Sequence, residues 1–234
     1  MKSNCMRQDR DCYGSRLVII INLRNKLTNM DPTTVAFYSN NASTVAARYE
    51  SVVNSLSHHF STAFHPRSKL LDIGFGSGRD LAVLVKSGHD CYGIDPTAEL
   101  IDVACDLHPE LQGKLIQGAL PDLDPPFGGQ FDGVLCSAVL MHLPVDQLGI
   151  AAAAIARCLC VGGRLLYSVP SKRLDVVEDD RDVNGRLFIP DLNDRIQDLL
   201  KGQGFTPISS WTNADSMGRD AVEWKSVLME LGAH

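Results

Sequence analysis

Apolar positions along this chain fall into two rhythms. In residues 44–60, Val45, Ala46, Tyr49, Val52, Val53, Leu56 and Phe60 recur at three- and four-residue steps, which predicts an amphipathic helix. Pro66 breaks that pattern. Short apolar runs then alternate with further helical periods. The runs predict strands over residues 69–74, 91–95, 114–117, 131–136 and 164–169. Between them, helices are predicted over 80–86, stopped by Gly88, over 98–107, capped by Thr97, and over the alanine-rich stretch 144–160. Gly162-Gly163 turns the chain into the fifth strand, and Cys158 and Cys160 fall in the helix-like apolar run before it. After Pro170 a charged stretch leads to a helix over 190–201 and two strand-like segments, 205–211 and 221–231. Regular alternation of strand and helix builds βαβ units, whose right-handed crossovers put helices on both faces of a parallel sheet. The pattern therefore predicts an α/β, doubly wound Rossmann-like sheet.

Composition narrows this picture. The chain has 234 residues, 44 % of them apolar and 21 % charged, which suits one globular domain. The domain is expected over 31–234. Residues 1–30 differ: Lys2, Arg7, Arg10, Arg16, Arg24 and Lys26 stand against Asp9 and Asp11. They read as a poorly ordered N-terminal extension, and Met30-Asp31-Pro32 reads as an alternative start. Net charge is −6, so phosphate backbones are repelled and no nucleic acid is expected as partner. Seven cysteines, an odd number without a C-x-x-C pair, point to free thiols and a reducing, cytoplasmic location. The N-terminal apolar run 17–21 is far short of the roughly 20 residues of a membrane span. It also lacks a cleavage site. His58, His59 and His65 have no metal-ligand spacing, so no metal is expected.

The chemistry sits in Leu71-Asp72-Ile73-Gly74-Phe75-Gly76-Ser77-Gly78-Arg79-Asp80. A strand runs into three glycines at alternate positions and a helix follows. Glycine lets a ligand lie on bare backbone, and the helix start offers free N–H groups. Asp95 ends the second strand, where a carboxylate can accept ribose hydroxyls. The loop departs from the G-x-G-x-x-G dinucleotide pattern. A carboxylate at Asp72 is unfavourable beside pyrophosphate and favourable beside the sulfonium and ammonium of S-adenosylmethionine.

Asp72-x-Gly74-x-Gly76-x-Gly78 resembles the first motif of class I S-adenosylmethionine-dependent methyltransferases. Gly93-Ile-Asp95-Pro96, 131–136 and 161–166 agree in order, and the likeness runs over about residues 35–234. Within the class, Gly76-Ser-Gly-Arg79-Asp80, 137–143, Phe37-Tyr38, Arg48-Tyr49 and the pattern from Asp215 to Trp224 resemble a bacterial small-molecule-type subgroup. The resemblance implies an antiparallel last strand closing a seven-stranded sheet, S-adenosyl-L-methionine as cofactor, and methyl transfer to an O, N or S atom of a small-molecule substrate. It implies that Gly74, Gly76 and Gly78 border the methionine and ribose portions, that Asp72 orders the amino end, and that Asp95 holds the ribose diol. Pro96 or Thr97 would flank the adenine. Ala119 and Leu120 fall in the family's adenine pocket, where Ala119 replaces a frequent acid and leaves the amino contact to backbone or Asp122. Cys136 and Ser137 would face the methyl group.

Alternatives stay open beside this reading. His142 is either a general base or substrate contact, or a polar residue shaping the pocket wall. Tyr38 and Tyr49 close over the cofactor or pack the lead-in helix on the sheet. The acidic run 175–182 is a lid favouring a cationic guest or a solvated loop. Arg219 anchors a substrate carboxylate or forms a structural ion pair. A non-enzymatic S-adenosylmethionine-binding sensor or support subunit, a protein- or RNA-directed methyltransferase, and an NAD-dependent oxidoreductase are the rival functions.

Overall fold

The computed structural model describes residues 30–174, 176 and 179–233. Of the extension expected at residues 1–30, residues 1–29, with Cys5 and Cys12, lie outside the described residues, as do Asp175 and Glu178 of the acidic run. Asp31 opens helix α1 (Pro32–Asn40): its carboxylate accepts from Thr34 N at 2.8 Å, and Pro32 takes the first helical position, where a missing N–H costs nothing. Helix α2 (Ala42–Glu50) follows directly.

The single helix expected over 44–60 is broken. Arg79 donates through Nη1 to the carbonyls of Tyr49 and Val52, satisfying backbone acceptors at the end of α2. Asn54 then starts a new turn by accepting from Leu56 N, and a 3-10 segment, Ser55–His59, runs into the short helix α3 (Phe60–Ala63).

The alternation continues as β1 (Lys69–Ile73), α4 (Arg79–Lys86), β2 (Asp90–Asp95), α5 (Ala98–Leu107), β3 (Leu115–Gln117), β4 (Phe131–Ser137), α6 (Leu148–Cys158) and β5 (Leu159–Arg173). Helix α7 (Asn193–Lys201) and strands β6 (Phe205–Ala214) and β7 (Val222–Leu231) complete it. The seven strands are ordered β3-β2-β1-β4-β5-β7-β6. Strands β1 to β5 pair in parallel, and β7 runs antiparallel to both β5 and β6. The α/β sheet with an antiparallel last strand is therefore the architecture present.

Strand β5 is longer than the expected 164–169. Extended backbone begins at Leu159, paired with Phe131, so Cys160 is a strand residue rather than a helical one. The Gly162-Gly163 pair lies inside this strand, at a register shift relative to β4. At the far end, pairing with β7 carries β5 on to Arg173, opposite Val222. Helix α6 starts at Leu148, after a 3-10 turn at Val145–Gln147.

Pleat alternation splits the interior into two cores. Leu71, Val134, Cys136, Leu165, Tyr167 and Met229 face α6 and α7. Leu70, Leu135, Leu166 and Leu228 face α3, α4 and α5. Each fully buried Leu in these layers contributes about 1.5–3 kcal/mol. Gly133 is required by this packing: a Cβ there would come within 2.6 Å of the Phe64 ring.

Candidate functional site

Sheet order reverses at β1, which has β2 on one side and β4 on the other. Open α/β sheets leave a crevice at the carboxyl ends of strands at such a point. Here β1 gives way to a loop in which Gly74, Gly76 and Gly78 all have positive φ. At Gly74 a Cβ would lie 2.5 Å from Val139 Cγ2, so no larger residue fits. Asp95 fastens this loop to the next element: Gly76 N donates to its Oδ2 at 3.1 Å, and Thr97 N to its Oδ1 at 2.9 Å.

Above the loop lies a cavity of about 230 Å³. Asp72, Gly74, Gly76, Asp95 and Pro96 line its floor, with Thr97 beside them. Gly78, Ala119, Leu120 and Cys136 do not line it. Gly78 is the cap of α4 and abuts Leu111 and His108. Leu120 and Cys136 are 1 % and 0 % exposed within the α6 core, and Ala119 is buried away from the cavity. Successive strand residues face opposite ways, so at the end of β4 Ser137 reaches the cavity while Cys136 turns from it. The next residue, Ala138, has φ 57 and also lines the cavity.

The floor is acidic. Asp72 is 2 % exposed, and its Oδ1 is buried without a hydrogen-bond partner. Burial pushes its pKa well above the carboxylate range, Asp80 and Asp95 push further, and Arg79 opposes them. Burial also raises Asp95 to about 6, against the N–H bonds from Thr97 and Gly76. Asp80 is held by Arg79 at 3.0 Å and Asn54 at 2.5 Å.

The walls come from far along the chain. His142 is buried, its Nδ1 2.5 Å from Leu187 O and its Nε2 3.3 Å from Tyr38 OH. A carbonyl only accepts, so Nδ1 carries the hydrogen, and Nε2 accepts from the Tyr38 hydroxyl. Burial, helped by Arg186 and Arg173, lowers His142 to about 4, against the Leu187 bond, so the ring is neutral at pH 7. Tyr38 accepts in turn from Arg186 Nη1 at 3.0 Å. The Arg186 guanidinium lies over Phe37 and Phe188, 4.5 and 4.8 Å from their ring centres.

A loop of residues 179–189 is clamped on α1. Arg181 pairs with Asp31 at 2.7 Å, and Leu187 N donates to Thr34 Oγ1 at 2.9 Å. This bears on the described part of the acidic run, residues 179–182. Asp182 turns to Arg186, which it holds through two nitrogens, and Asp179 and Asp180 point to solvent. The loop thus shows the cavity Arg186 and Phe188 rather than carboxylates. Arg219 forms a structural pair: Asp215 holds it at 2.7 and 2.9 Å and also accepts from Trp224 Nε1 at 2.9 Å.

Thr34, Asn54, Arg186, Phe188 and Met217 also line the cavity. Sequence reasoning missed them because they sit in loops or on the weakly amphipathic α1. Asp31-Pro32-Thr-Thr34 was the available signal, a cap motif that announces α1.

A family model described as a methyltransferase domain matches residues 71–167. Magnesium-protoporphyrin O-methyltransferase of Rhodobacter capsulatus is 34 % identical over 82 residues, covering 35 % of this chain and 36 % of that protein. Ubiquinone biosynthesis O-methyltransferase of Methylococcus capsulatus is 32 % identical over 112 residues, 45 % of each. This chain thus matches less than half the length of both curated relatives. The solved structure of a TehB-like SAM-dependent methyltransferase from Corynebacterium glutamicum superposes with a TM-score of 0.61 at 21 % identity, over 82 % of this chain and 98 % of that one, a likeness of fold. Among the described residues no helix is long and apolar enough to cross a membrane.

Proposed function

We propose that this protein, whose residues 71–167 match a methyltransferase domain model, is a class I enzyme that transfers a methyl group from S-adenosylmethionine to an O, N or S nucleophile of a small molecule. The observation that carries the reading is Asp72 Oδ1, a buried carboxylate oxygen without a partner at the edge of a glycine loop. A cationic amino acid moiety suits that atom, and a pyrophosphate does not. S-adenosylmethionine, when bound, supplies a methyl group on a positively charged sulfur.

This chain's residues bind, orient and exclude water. Asp72 would receive the ammonium, the backbone at Gly74 and Gly76 would give close approach, Asp95 would accept from the ribose hydroxyls, and Pro96 and Thr97 would flank the base. Such a donor would offer its methyl group to the acceptor's lone pair, and the acceptor's proton would leave to solvent. Because the donor is already activated, positioning supplies much of the acceleration. Neutral His142 has both ring nitrogens engaged, so in this reading it holds the Tyr38 hydroxyl against the acceptor space. Phe188 and α1 keep water out.

Parallel calorimetric titrations with S-adenosylmethionine, S-adenosylhomocysteine and NAD test the reading. Micromolar binding of the first two without NAD supports it. Binding of NAD alone overturns it.

A further inference from the structure

Charged side chains of both signs line the cavity. At the glycine-loop end stand Asp72, Asp80 and Asp95, answered by Arg79. Arg48, Arg186 and Arg219 line the same cavity, with Asp215 among them. Two of these are already matched: Arg186 to Asp182 at 2.6 Å, and Arg219 to Asp215 at 2.7 Å. Arg48 differs. It lies in the last turn of α2, exposed at the rim, and its Nε donates to Met217 Sδ at 3.3 Å. A thioether is a weak acceptor, and among the described residues no carboxylate forms an ion pair with Arg48. Phe37, Tyr38 and Phe188 give the same cavity an aromatic lining.

We propose that Arg48 receives a carboxylate of the methyl acceptor, so that the substrate class is a small carboxylate-bearing molecule with an apolar or aromatic body. A guanidinium pairs a carboxylate through two parallel N–H bonds. Met217, being flexible, can yield the position. The net charge of −6 repels anions from the surface at large, so selection of an anion needs a local cation at the entrance. Carboxylates would then hold the cationic donor and a guanidinium the anionic acceptor. This assignment rests on the cofactor reading above.

The test uses the full chain saturated with S-adenosylhomocysteine and ligand-observed NMR titration with three probes of like shape: benzoate, benzamide and benzylammonium. Benzoate is expected to bind about tenfold more tightly than benzamide, with benzylammonium weakest. Arg48→Gln should erase the gap between benzoate and benzamide, and Arg48→Lys should retain part of it. S-adenosylhomocysteine affinity should not change in either variant, whereas a merely structural role at the helix end would weaken the nucleoside and all three probes alike. Failure of the wild-type chain to bind S-adenosylhomocysteine sinks the cofactor reading and the proposal with it. If that nucleoside binds but benzoate and benzamide behave alike, or Arg48→Gln keeps the gap, the assignment of Arg48 alone is overturned.

Discussion

Replacing Asp72 by Asn should make the ligand-free protein more stable and the ligand weaker, two changes of opposite sign from one substitution. In the folded chain Asp72 is 2 % exposed, one oxygen has no partner, and Asp80 and Asp95 crowd it with like charge. An unsatisfied buried polar group costs about 1–3 kcal/mol, more when charged. Asn removes the charge and keeps the shape, so a gain of about 1–3 kcal/mol is expected at neutral pH. The gain should shrink as pH falls, because the raised pKa of Asp72 lets it accept a proton and become neutral too. A ligand ammonium would lose a charge-assisted bond worth about 1.5–3 kcal/mol, so its dissociation constant should rise about 10- to 100-fold. Urea denaturation at pH 7.5 and pH 5, with calorimetric titration of S-adenosylhomocysteine, measures both. A variant that is less stable than wild type and binds the nucleoside as tightly would refute the reasoning, since it would show the carboxylate well partnered when empty and idle when full.

Asp95→Ala strands the N–H groups of Gly76 and Thr97; a loss of about 1–3 kcal/mol in denaturation, with more than tenfold weaker S-adenosylmethionine binding by calorimetry, is expected. Asp95 titrates near 6 when folded against 3.8 as its reference. An acid held more tightly protonated by the fold stabilises below its unfolded pKa and loses that stabilisation as pH rises through the folded one. Ligand-free stability should therefore fall by up to about 3 kcal/mol between pH 4 and pH 6.5 from this group, and a flat denaturation profile there would contradict the burial of Asp95. Ala138 holds a left-handed backbone at the end of β4; Ala138→Gly should raise stability by up to about 1 kcal/mol, readable as a higher urea midpoint.

Legibility in the sequence followed the range of the interactions. Strands β1, β2 and β4 were readable because both faces are covered, which writes them as short apolar runs. The glycine loop and Asp95 were readable because backbone geometry restricts those positions to few residue types. The break after α2 was not, since it depends on Arg79 reaching back to the carbonyls of Tyr49 and Val52. Nor was the length of β5, which pairing with β7 sets from the other end of the chain. Strand parity at Cys136 and Ser137 was available in the sequence: the apolar residue belongs to the core and the hydroxyl to the cavity. The acceptor wall gave no periodic signal because Tyr38, His142, Arg186 and Phe188 meet from three separate segments.

The clamp between α1 and the 179–189 loop joins parts of the chain about 150 residues apart through Asp31–Arg181, Thr34–Leu187 and Tyr38–Arg186. It amounts to a seam across the roof. Cutting that seam, as in Asp31→Ala, is expected to shorten the lifetime of a guest bound beneath it, making residence a property of the fold's own fastening. The Arg181 end of the seam is 36 % exposed, while Asp31, held near 2 with Arg181's guanidinium lowering it against burial, stays ionised through the working pH range. Mild acid therefore leaves the Asp31–Arg181 pair charged, and dissolved salt reaches only its exposed Arg181 side.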